Sequence, residues 1–373
     1  MEEERWKMEK WILGALPNLG ATWPWFFPSS FFHFPHNPGF TSLCLAYKFL
    51  IPPVPFSNSP PRPKKSSPAP FRTAFAQRLT WEELDTSYLR QIITMAREED
   101  LAGAGLARTV TPGDVTTDAL VDNTPAGAAF VARQPLTVCG LQLLPLVFES
   151  FGNHCTVKIA DGVRDGQSVK KGDVLATVIG PASTLLKAER TALNFFQKLS
   201  GVATQTAEYV AALGWTSTKL LDTRKTTPGF RMLEKYAVAC GGGWNHRLGL
   251  FDRVLIKDNH LAAAHATAGE RLAAAVRQAR TRLPKTLVEC EVDALEQIPP
   301  VLEAGVDVVL LDNFPLAKLV EAVALIDHRA NTEASGGVTI ETLPKMARLG
   351  LDFISCGALV HHAPWADIGL DWQ

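Results

Sequence analysis

Cationic side chains and carboxylates recur in the second half of this chain, each within or directly after a short apolar segment. Arg224 and Lys225 follow one such segment, and Lys257 follows the next. Glu291 and Asp312 lie in or after two further segments. Arginine binds a carboxylate at two points and lysine acts as a point charge, while carboxylate oxygens suit Mg²⁺. The combination predicts a site for an anionic substrate together with a metal ion.

Two loops containing serine and glycine add a predicted phosphate site. Ser335-Gly336-Gly337 and Ser355-Cys356-Gly357 follow the last two apolar segments. A helical pattern starts at Thr339–Leu343, directly after the first loop, and helix N-termini favour anions. Phosphate sites also recur after the last two strands of α/β barrels. The two loops therefore favour a bound phosphate.

The apolar segments that carry these residues are short and rich in Val, Ile and Leu. They lie at 219–221, 254–256, 287–288, 308–311, near 335 and at 353–354, with helical patterns such as 261–282 and 316–330 between them. Alternation of such strands with helices predicts a parallel sheet that can close into a barrel. Functional groups of these barrels lie at the carboxyl ends of the strands. The polar residues are therefore expected to share one rim.

Residues 76–212 have a different rhythm. Thr80-Trp81-Glu82-Glu83 predicts a capping box before a helix that runs to about Glu99. Residues 128–180 predict short strands separated by glycine-containing turns. A helical pattern then runs from Pro181 to about Leu213. This part of the chain is expected to form a mixed α/β domain.

Each functional feature also has a plain structural explanation. Arg224-Lys225 alone suits a solvated turn, and Gly241-Gly242-Gly243 alone suits a flexible hinge. Glu291 and Asp312 alone suit surface acids. Both acids follow apolar strands, however, and buried carboxylates need partners. The conjunction of these features, rather than any one of them, favours a functional site.

Residues 1–75 differ from the rest of the chain because they hold 13 of its 25 prolines. This composition predicts a disordered extension or a misassigned start codon. The functional alternative is a targeting or membrane-surface segment. Four glutamates in the first ten residues argue against it, because transit peptides are poor in acids.

The composition of the whole chain excludes some classes of protein. A formal net charge of -1 gives no basic excess of the kind that nucleic-acid binding needs. The six cysteines match no common zinc-site spacing, and we interpret them as reduced thiols of a cytoplasmic protein. No apolar run reaches the roughly 18 to 20 residues that span a bilayer.

Several segments resemble the signature of the quinolinate phosphoribosyltransferase family. The first three are Thr223–Gly229, Gly241–Arg247 and Leu255–His260. Four further segments are similar to other blocks of the family and occur in the same order: Glu189–Asn194, Glu289–Val292, Leu310–Asn313 and Ala334–Gly337. The resemblance covers roughly residues 80–373 and leaves residues 1–75 outside it.

The resemblance implies a fold and an assembly. After the extension at 1–75, residues 76–212 should form an N-terminal α/β sandwich domain. Residues 213–373 should form an incomplete, TIM-like α/β barrel, with the last residues returning to the sandwich. The family forms homodimers with shared active sites, and hexamers also occur. One departure is a longer segment at 101–112, which predicts a loop insertion near the start of the sandwich.

The resemblance also implies a reaction. Enzymes of this family transfer phosphoribosyl from phosphoribosyl pyrophosphate to quinolinate with decarboxylation, giving nicotinate mononucleotide, CO₂ and pyrophosphate for NAD synthesis. Mg²⁺ is the implied cofactor, and Glu291 and Asp312 would hold it directly or through water. The implied catalytic residues are Lys225, Lys257, Glu291 and Asp312.

The two substrates would take different residues of the rim. By resemblance, quinolinate is bound by Arg190, Thr223, Arg224, Lys225, His246, Arg247 and Lys257. Phosphoribosyl pyrophosphate is bound by Glu291, Asp312, Ser335, Gly336, Gly337, Ser355 and Gly357. Glu289 and Glu291 point to the same face of one strand, so the sequence leaves open which is the main catalytic acid. It also leaves open which subunit's site Arg190 serves.

Three other functions fit parts of the pattern. Lys257 at a strand end would suit a Schiff-base aldolase. A sibling phosphoribosyltransferase would use nicotinate without decarboxylation, but three arginines suit two carboxylates better than one. A paralogue that only binds an anion should have lost motif residues, and none of those named above is missing.

Overall fold

The computed structural model describes residues 75–152, 154–257, 260 and 270–373. The predicted extension lies outside these residues except for Phe75, as do Asp258, Asn259 and the first part of the predicted helix at 261–282.

The first part of the described chain forms a helical layer on an antiparallel sheet. Its elements are α1 (Thr86–Ala102), α2 (Val115–Leu120), β1 (Pro125–Ala132), β2 (Leu136–Thr137), α3 (Leu143–Phe151), β3 (Thr156–Ile159), β4 (Ser168–Val169), β5 (Val174–Pro181) and α4 (Ala182–Leu213). The strand order of the four-stranded sheet is β12-β1-β5-β3, in which β12 (Ile368–Trp372) comes from the end of the chain. Strand β2 pairs with β4 in a separate ribbon. Helices α3 and α4 cover one face of the sheet. Ile179 on β5 is exposed, so the opposite face is partly open.

The second part forms six short parallel strands with helices between most of them. Its elements are β6 (Lys219–Leu221), α5 (Arg231–Cys240), β7 (Val254–Ile256), α6 (Glu270–Arg282), β8 (Val288–Val292), α7 (Ile298–Glu303), β9 (Val308–Asp312), α8 (Leu316–Ile326), β10 (Asn331–Ser335), α9 (Leu343–Ala347), β11 (Phe353–Ser355), α10 (Ala358–His361) and β12 (Ile368–Trp372). The sheet order is β6-β11-β10-β9-β8-β7, and every pair in it is parallel.

The parallel sheet does not close between β6 and β7 within the described chain. Instead, Leu221 at the edge of β6 bridges to Trp244, and Asn245 bridges to Gln77. The predicted incomplete barrel, preceded by an α/β sandwich, is therefore confirmed. The final strand β12 pairs with β1 and thus belongs to the antiparallel sheet.

A small apolar cluster fills the barrel interior. Phe75 packs there with Leu221, Val308 and Phe353, and the rings of Phe75 and Phe353 are 4.7 Å apart. The guanidinium of Arg253 lies 4.0 Å above the Phe75 ring and donates a 2.6 Å hydrogen bond to the Phe75 carbonyl. Phe75, which composition groups with the extension, is thus part of the folded barrel.

Helix α4 joins the two parts of the structure and confirms the long helix predicted from Pro181. Its buried face includes Leu185, Phe196 and Leu199, which recur at helical spacing. These side chains belong to a core cluster that also contains residues of the antiparallel sheet and of the barrel. The antiparallel sheet and the barrel therefore share one continuous core.

The first helix begins later than the sequence predicts. The capping box does form, because the Thr80 N–H donates to the Glu83 carboxylate at 2.8 Å, but it closes only a 3₁₀ turn. Asp85 caps α1 instead, accepting the N–H groups of Ser87 and Tyr88. The prediction was wrong at this end because two N-cap signals lie five residues apart, and the second starts the longer apolar face.

Candidate active site

A cleft of about 840 Å³ lies at the carboxyl rim of the parallel sheet. It is lined by all but one of the predicted site residues: Thr223, Arg224, Lys225, His246, Arg247, Lys257, Glu291, Asp312, Ser335, Gly336, Gly337, Ser355 and Gly357. The strands are parallel, so their carboxyl ends meet at one edge and bring residues distant in sequence together. The exception, Arg190, is an exposed residue of α4 that does not line this cleft.

Two guanidinium groups concentrate positive charge on one wall. Arg224 follows β6, and its Nε is buried with no hydrogen-bond partner among the described residues. Arg247 is 8% exposed, and burial together with the charge of Arg224 lowers its pKa. An anion bound beside the two guanidinium groups would offset their mutual repulsion. Two guanidinium groups also suit a ligand with two carboxylates.

A buried ion pair fixes the segment that carries Arg247. Lys235 and Asp222 are fully buried, with Lys235 Nζ 2.6 Å from Asp222 Oδ1. Asp222 also accepts the His246 backbone N–H at 2.8 Å and the Asn245 side-chain amide at 2.9 Å. Burial raises the pKa of Asp222 and lowers that of Lys235, while the pairing and the hydrogen bonds oppose both shifts.

The glycine run before this segment is a packing feature rather than a hinge. A Cβ on Gly241 would lie 2.4 Å from the carbonyl oxygen of Ala203 on α4. A Cβ on Gly243 would lie 2.7 Å from a methyl carbon of Val238. Glycine is needed because the backbone passes so close to its neighbours.

Carboxylates stand at the ends of β8 and β9. Glu291 forms an ion pair with Lys257 from the neighbouring strand end. Asp312 accepts 2.7 Å hydrogen bonds from Ser335 Oγ and Asn313 Nδ2. Both acids offer oxygen ligands to the cleft, the donor type that Mg²⁺ prefers, so these residues fit that ion.

The two glutamates of β8 lie at different depths. Glu291 lines the cleft, whereas Glu289 is fully buried beneath it. Glu289 meets His246 and Glu333, and His246 Nε2 and one oxygen of each acid lie within 4.8 Å of one another. The structure therefore favours Glu291 over Glu289 as the acid that meets a substrate.

The hydrogen bonds of this buried cluster constrain where its protons lie. Burial alone would lower the pKa of His246, but the carboxylates of Glu333 and Glu289 raise it to about 9. A second ring proton has no place, however, because His246 Nδ1 accepts the Arg247 N–H at 2.8 Å. Burial also raises the pKa of Glu289. We therefore place the ring proton on Nε2, facing the carboxylates, and any further proton of the cluster on Glu289, whose pKa burial raises.

The glycine loops form one end of the cleft. Gly336 and Gly337 have φ values of 89° and 60°, and a Cβ on Gly336 would lie 2.0 Å from Asn313 Oδ1. A Cβ on Gly357 would lie 3.0 Å from Lys225 Cδ, so Lys225 lies over the second loop. The predicted helix after Gly337 starts only at Leu343 and has five residues. The loop N–H groups, rather than a helix terminus, are therefore the candidate donors for an anion here.

Sequence reasoning missed some lining residues. Glu333 lies on β10, whose polar sequence gives no apolar run to mark its face. Asn313, which the family segment Leu310–Asn313 includes without an assigned role, adopts a φ of 54°. His361 ends a four-residue helix and carries no periodic signal. Burial and the nearby charges of His362 and Lys225 lower the pKa of His361. Gly336 and Asn313 come together from two different strand ends, so the sequence alone does not show their close contact.

No described helix combines the length and the apolar character needed to span a bilayer. The longest described helix, α4, has 32 residues but carries lysine, arginine and glutamate along its length.

Comparisons with known proteins agree with this geometry. The family model of the quinolinate phosphoribosyl transferase N-terminal domain matches residues 114–200, and that of the C-terminal domain matches residues 202–371. The probable nicotinate-nucleotide pyrophosphorylase (carboxylating) of Bacillus subtilis is 39% identical over 259 residues, covering 69% of this chain and 88% of that protein. The Mycobacterium leprae nicotinate-nucleotide pyrophosphorylase (carboxylating) is 42% identical over 265 residues, covering 69% and 90%.

Solved structures extend the likeness to the fold. The nicotinate-nucleotide pyrophosphorylase of Francisella tularensis aligns with a TM-score of 0.71 at 33% identity, covering 80% of this chain and 100% of that one. The Ehrlichia chaffeensis enzyme aligns with a TM-score of 0.70 at 35% identity, covering 78% and 100%. With both family models and these relatives in agreement, the chain belongs to the quinolinate phosphoribosyltransferase family.

Proposed function

We propose that this protein transfers phosphoribosyl from phosphoribosyl pyrophosphate to quinolinate with decarboxylation, giving nicotinate mononucleotide, CO₂ and pyrophosphate. The observation that carries the proposal is the cleft itself. It combines a cationic wall, two carboxylates at neighbouring strand ends and glycine loops at one end. Family membership supports the same reaction, because the relatives named above are carboxylating pyrophosphorylases.

The cationic wall suits the pyridine dicarboxylate. Arg224 and Arg247 can each give planar, two-point recognition of one carboxylate. Lys257 adds a point charge from the neighbouring strand end, and Thr223 and His246 line the same wall. Nicotinate has a single carboxylate and would leave one of these guanidiniums buried without an anion, which disfavours the sibling reaction.

The loop end of the cleft suits phosphoribosyl pyrophosphate. The N–H groups of Gly336, Gly337 and Gly357 can cradle the 5-phosphate, with Lys225 above the second loop. Ser335 and Ser355 add hydroxyl groups on the same side. The carboxylates of Glu291 and Asp312 lie where they can bind the ribose hydroxyls.

Mg²⁺ is part of the proposal. Glu291 and Asp312 would hold it directly or through water. Held there with pyrophosphate, it would supply positive charge to offset the charge that develops on the leaving group.

The proposed reaction has two stages. In the first, the C1–O bond to pyrophosphate breaks while the pyridine nitrogen bonds to C1, and the carboxylates of Glu291 and Asp312 stabilise positive charge at C1. In the second, the bond between C2 and its carboxylate breaks, CO₂ departs and its electron pair stays at C2 next to the pyridinium nitrogen. A proton from solvent then bonds to C2 of the ring. Until the 2-carboxylate departs, Arg224 and Arg247 hold the ring in place through its two carboxylates.

Release of labelled CO₂ from carboxyl-labelled quinolinate tests the reaction. We expect release only when quinolinate, phosphoribosyl pyrophosphate and Mg²⁺ are all present, and chelation of the ion should abolish it. A folded protein that releases no CO₂ but converts nicotinate would establish the sibling activity instead. Release that persists after chelation would contradict the role of the ion.

Gly336→Ala should weaken binding of phosphoribosyl pyrophosphate. The new Cβ would meet Asn313 at 2.0 Å in a backbone with φ of +89°, so the loop must move. We expect its KM for phosphoribosyl pyrophosphate to rise roughly tenfold or more, with the KM for quinolinate changing little. Gly350→Ala is the matched control, because φ is +83° there but a Cβ meets open space. Equal KM values in the two variants would contradict the phosphate cradle.

We also propose a homodimer in which Arg190 completes the partner's cleft. Arg190 lies in a family segment, yet it is exposed and does not line its own cleft. Mixing inactive Arg190→Ala and Lys225→Ala proteins, after subunit exchange, should then restore up to about a quarter of wild-type CO₂ release, since half the dimers hold one intact site. No recovery in dimers shown to have exchanged would contradict a shared site.

A cytoplasmic location is likewise a proposal, based on composition.

A further inference from the structure

His246 lies on the wall of the cleft with both ring nitrogens engaged inside the protein. Its Nδ1 accepts a hydrogen bond of 2.8 Å from the backbone N–H of Arg247. Its Nε2 lies 3.3 Å from the carboxylate of Glu289 and 3.4 Å from Oε1 of Glu333. The side chain is only 6% exposed. An anion in the cleft therefore meets no free nitrogen on this ring.

These contacts determine the tautomer of His246. A ring nitrogen that accepts an N–H on its lone pair carries no proton, so the ring proton lies on Nε2 and faces the two acids. The partner of one imidazole nitrogen determines what the other nitrogen can do. With carboxylates at Nε2, Nδ1 is left as an acceptor.

Both acids lie in the barrel interior. Glu289 on β8 and Glu333 on β10 are both fully buried. Arg253 Nη1 lies 3.8 Å from Glu289. Neither carboxylate oxygen of Glu333 has a hydrogen-bond partner among the described residues, so the His246 ring at 3.4 Å is the group that offsets its charge. The Phe75 ring packs edge-on against the imidazole at 5.7 Å, so the ring is confined on that side too.

The acceptor at Nδ1 matters because Arg247 lies outside any helix or strand. Its backbone N–H has no ladder partner, and a buried N–H needs an acceptor. The hydrogen bond to Nδ1 therefore holds the backbone from which the Arg247 side chain extends toward the proposed quinolinate site.

We propose that Glu333, together with Glu289, is a positioning residue for Arg247. The acids fix the Nε2–H tautomer of His246, and its Nδ1 in turn fixes the backbone of Arg247 and the aim of its guanidinium. In this arrangement His246 acts through Arg247 rather than by contacting the substrate. The inference rests on the proposed function in that it takes the carboxylates of quinolinate as the ligand of Arg247.

Variants at both acids test their role, because Glu289 hydrogen bonds to Nε2 and Glu333 lies 3.4 Å from it. Glu289→Met combined with Glu333→Met removes both carboxylates at similar volume, whereas Glu289→Gln combined with Glu333→Gln keeps carbonyl oxygens beside Nε2–H. We expect the methionine variant to raise the KM for quinolinate between about tenfold and a hundredfold, with the KM for phosphoribosyl pyrophosphate within about twofold of wild type. The glutamine variant should recover most of that loss. Equal shifts in both KM values, or no rescue by glutamine, would overturn the positioning role.

Variants at His246 separate positioning from direct contact. The Asn side chain can place its oxygen near Nδ1 and still accept the Arg247 N–H, whereas Gln reaches towards Nε2 and leaves that N–H without a partner. Both variants lose the ring, but His246→Gln should lose more affinity for quinolinate than His246→Asn. Equal losses would indicate direct contact and overturn the proposal.

Two readouts do not depend on turnover. Calorimetric titration with quinolinate alone measures the Arg247 site even if no CO₂ is released, so failure of the reaction and failure of the inference are distinguishable. Nitrogen-15 NMR of histidine-labelled wild-type protein should show His246 protonated at Nε2 and unprotonated at Nδ1 near neutral pH. A doubly protonated ring, or an Nε2 that lacks a proton as a metal-bound nitrogen would, overturns the proposal.

Discussion

Replacing Glu291 by glutamine should lower kcat by about a hundredfold to a thousandfold while the protein stays folded. The change keeps the shape of the side chain and removes its charge. In the proposed reaction this carboxylate faces positive charge at C1 that exists only as pyrophosphate leaves. A group that acts on developing charge affects kcat more than KM.

The measurement is the steady-state rate of CO₂ release at saturating substrates. Glu303→Gln, an exposed change on α7, is the matched control and should leave kcat unaltered. Glu289→Met provides a second comparison, because Glu289 is buried behind His246 and its loss should affect quinolinate binding more than kcat. If Glu291→Gln retains more than about a tenth of wild-type kcat, its role in stabilising charge at C1 is refuted.

The sequence predicted the rim of the barrel well, for a physical reason. Strands of a parallel sheet are apolar on both faces, so their ends are marked by the first polar residue. Lys257 and Asp312 could therefore be placed at one edge of the sheet from the pattern of apolar segments, and both line the cleft. The family resemblance supplied the roles that spacing alone left open.

The supports beneath the rim were not predictable in the same way. Glu333 lies in a polar strand, and Phe75 belongs by composition to the proline-rich extension. Lys235 lies in a helix where a charged residue is expected to face solvent, yet it is fully buried. Each is determined by a partner far away in sequence, and no local periodicity encodes such a pairing.

Several buried groups contact the segment 244–247. Asp222 binds its backbone and Asn245, while Glu289 and Glu333 hold the His246 ring from the barrel interior. The cationic wall therefore depends on buried groups that do not touch the proposed substrate. Variants of such groups should separate stability from catalysis.

Lys235→Met should be the most destabilising single change of this kind. Lys235 and Asp222 are both fully buried, with their charged atoms 2.6 Å apart. Methionine fills similar volume but leaves the Asp222 carboxylate without its cation. Breaking a buried pair from one side costs about 3–5 kcal/mol, a large part of the roughly 5–15 kcal/mol by which domains are stable.

The free energy of unfolding from urea titration measures this effect, with the exposed Lys318→Met as control. The loss should depend on pH with a defined sign. Burial already raises the pKa of Asp222, and removing Lys235 raises it further. A group with a raised folded-state pKa contributes stability below its unfolded pKa that is lost as pH rises through the folded value.

The variant should therefore be less destabilised near about pH 5 than near about pH 8. Asp222→Asn combined with Lys235→Met removes both charges and should recover part of the loss, because the cost comes mainly from the unpaired carboxylate. It should not recover all of it, since one amide oxygen replaces two carboxylate oxygens that bind Lys235, Asn245 and the His246 N–H. A single variant as stable as wild type at both pH values would mean that the pair contributes specificity rather than stability.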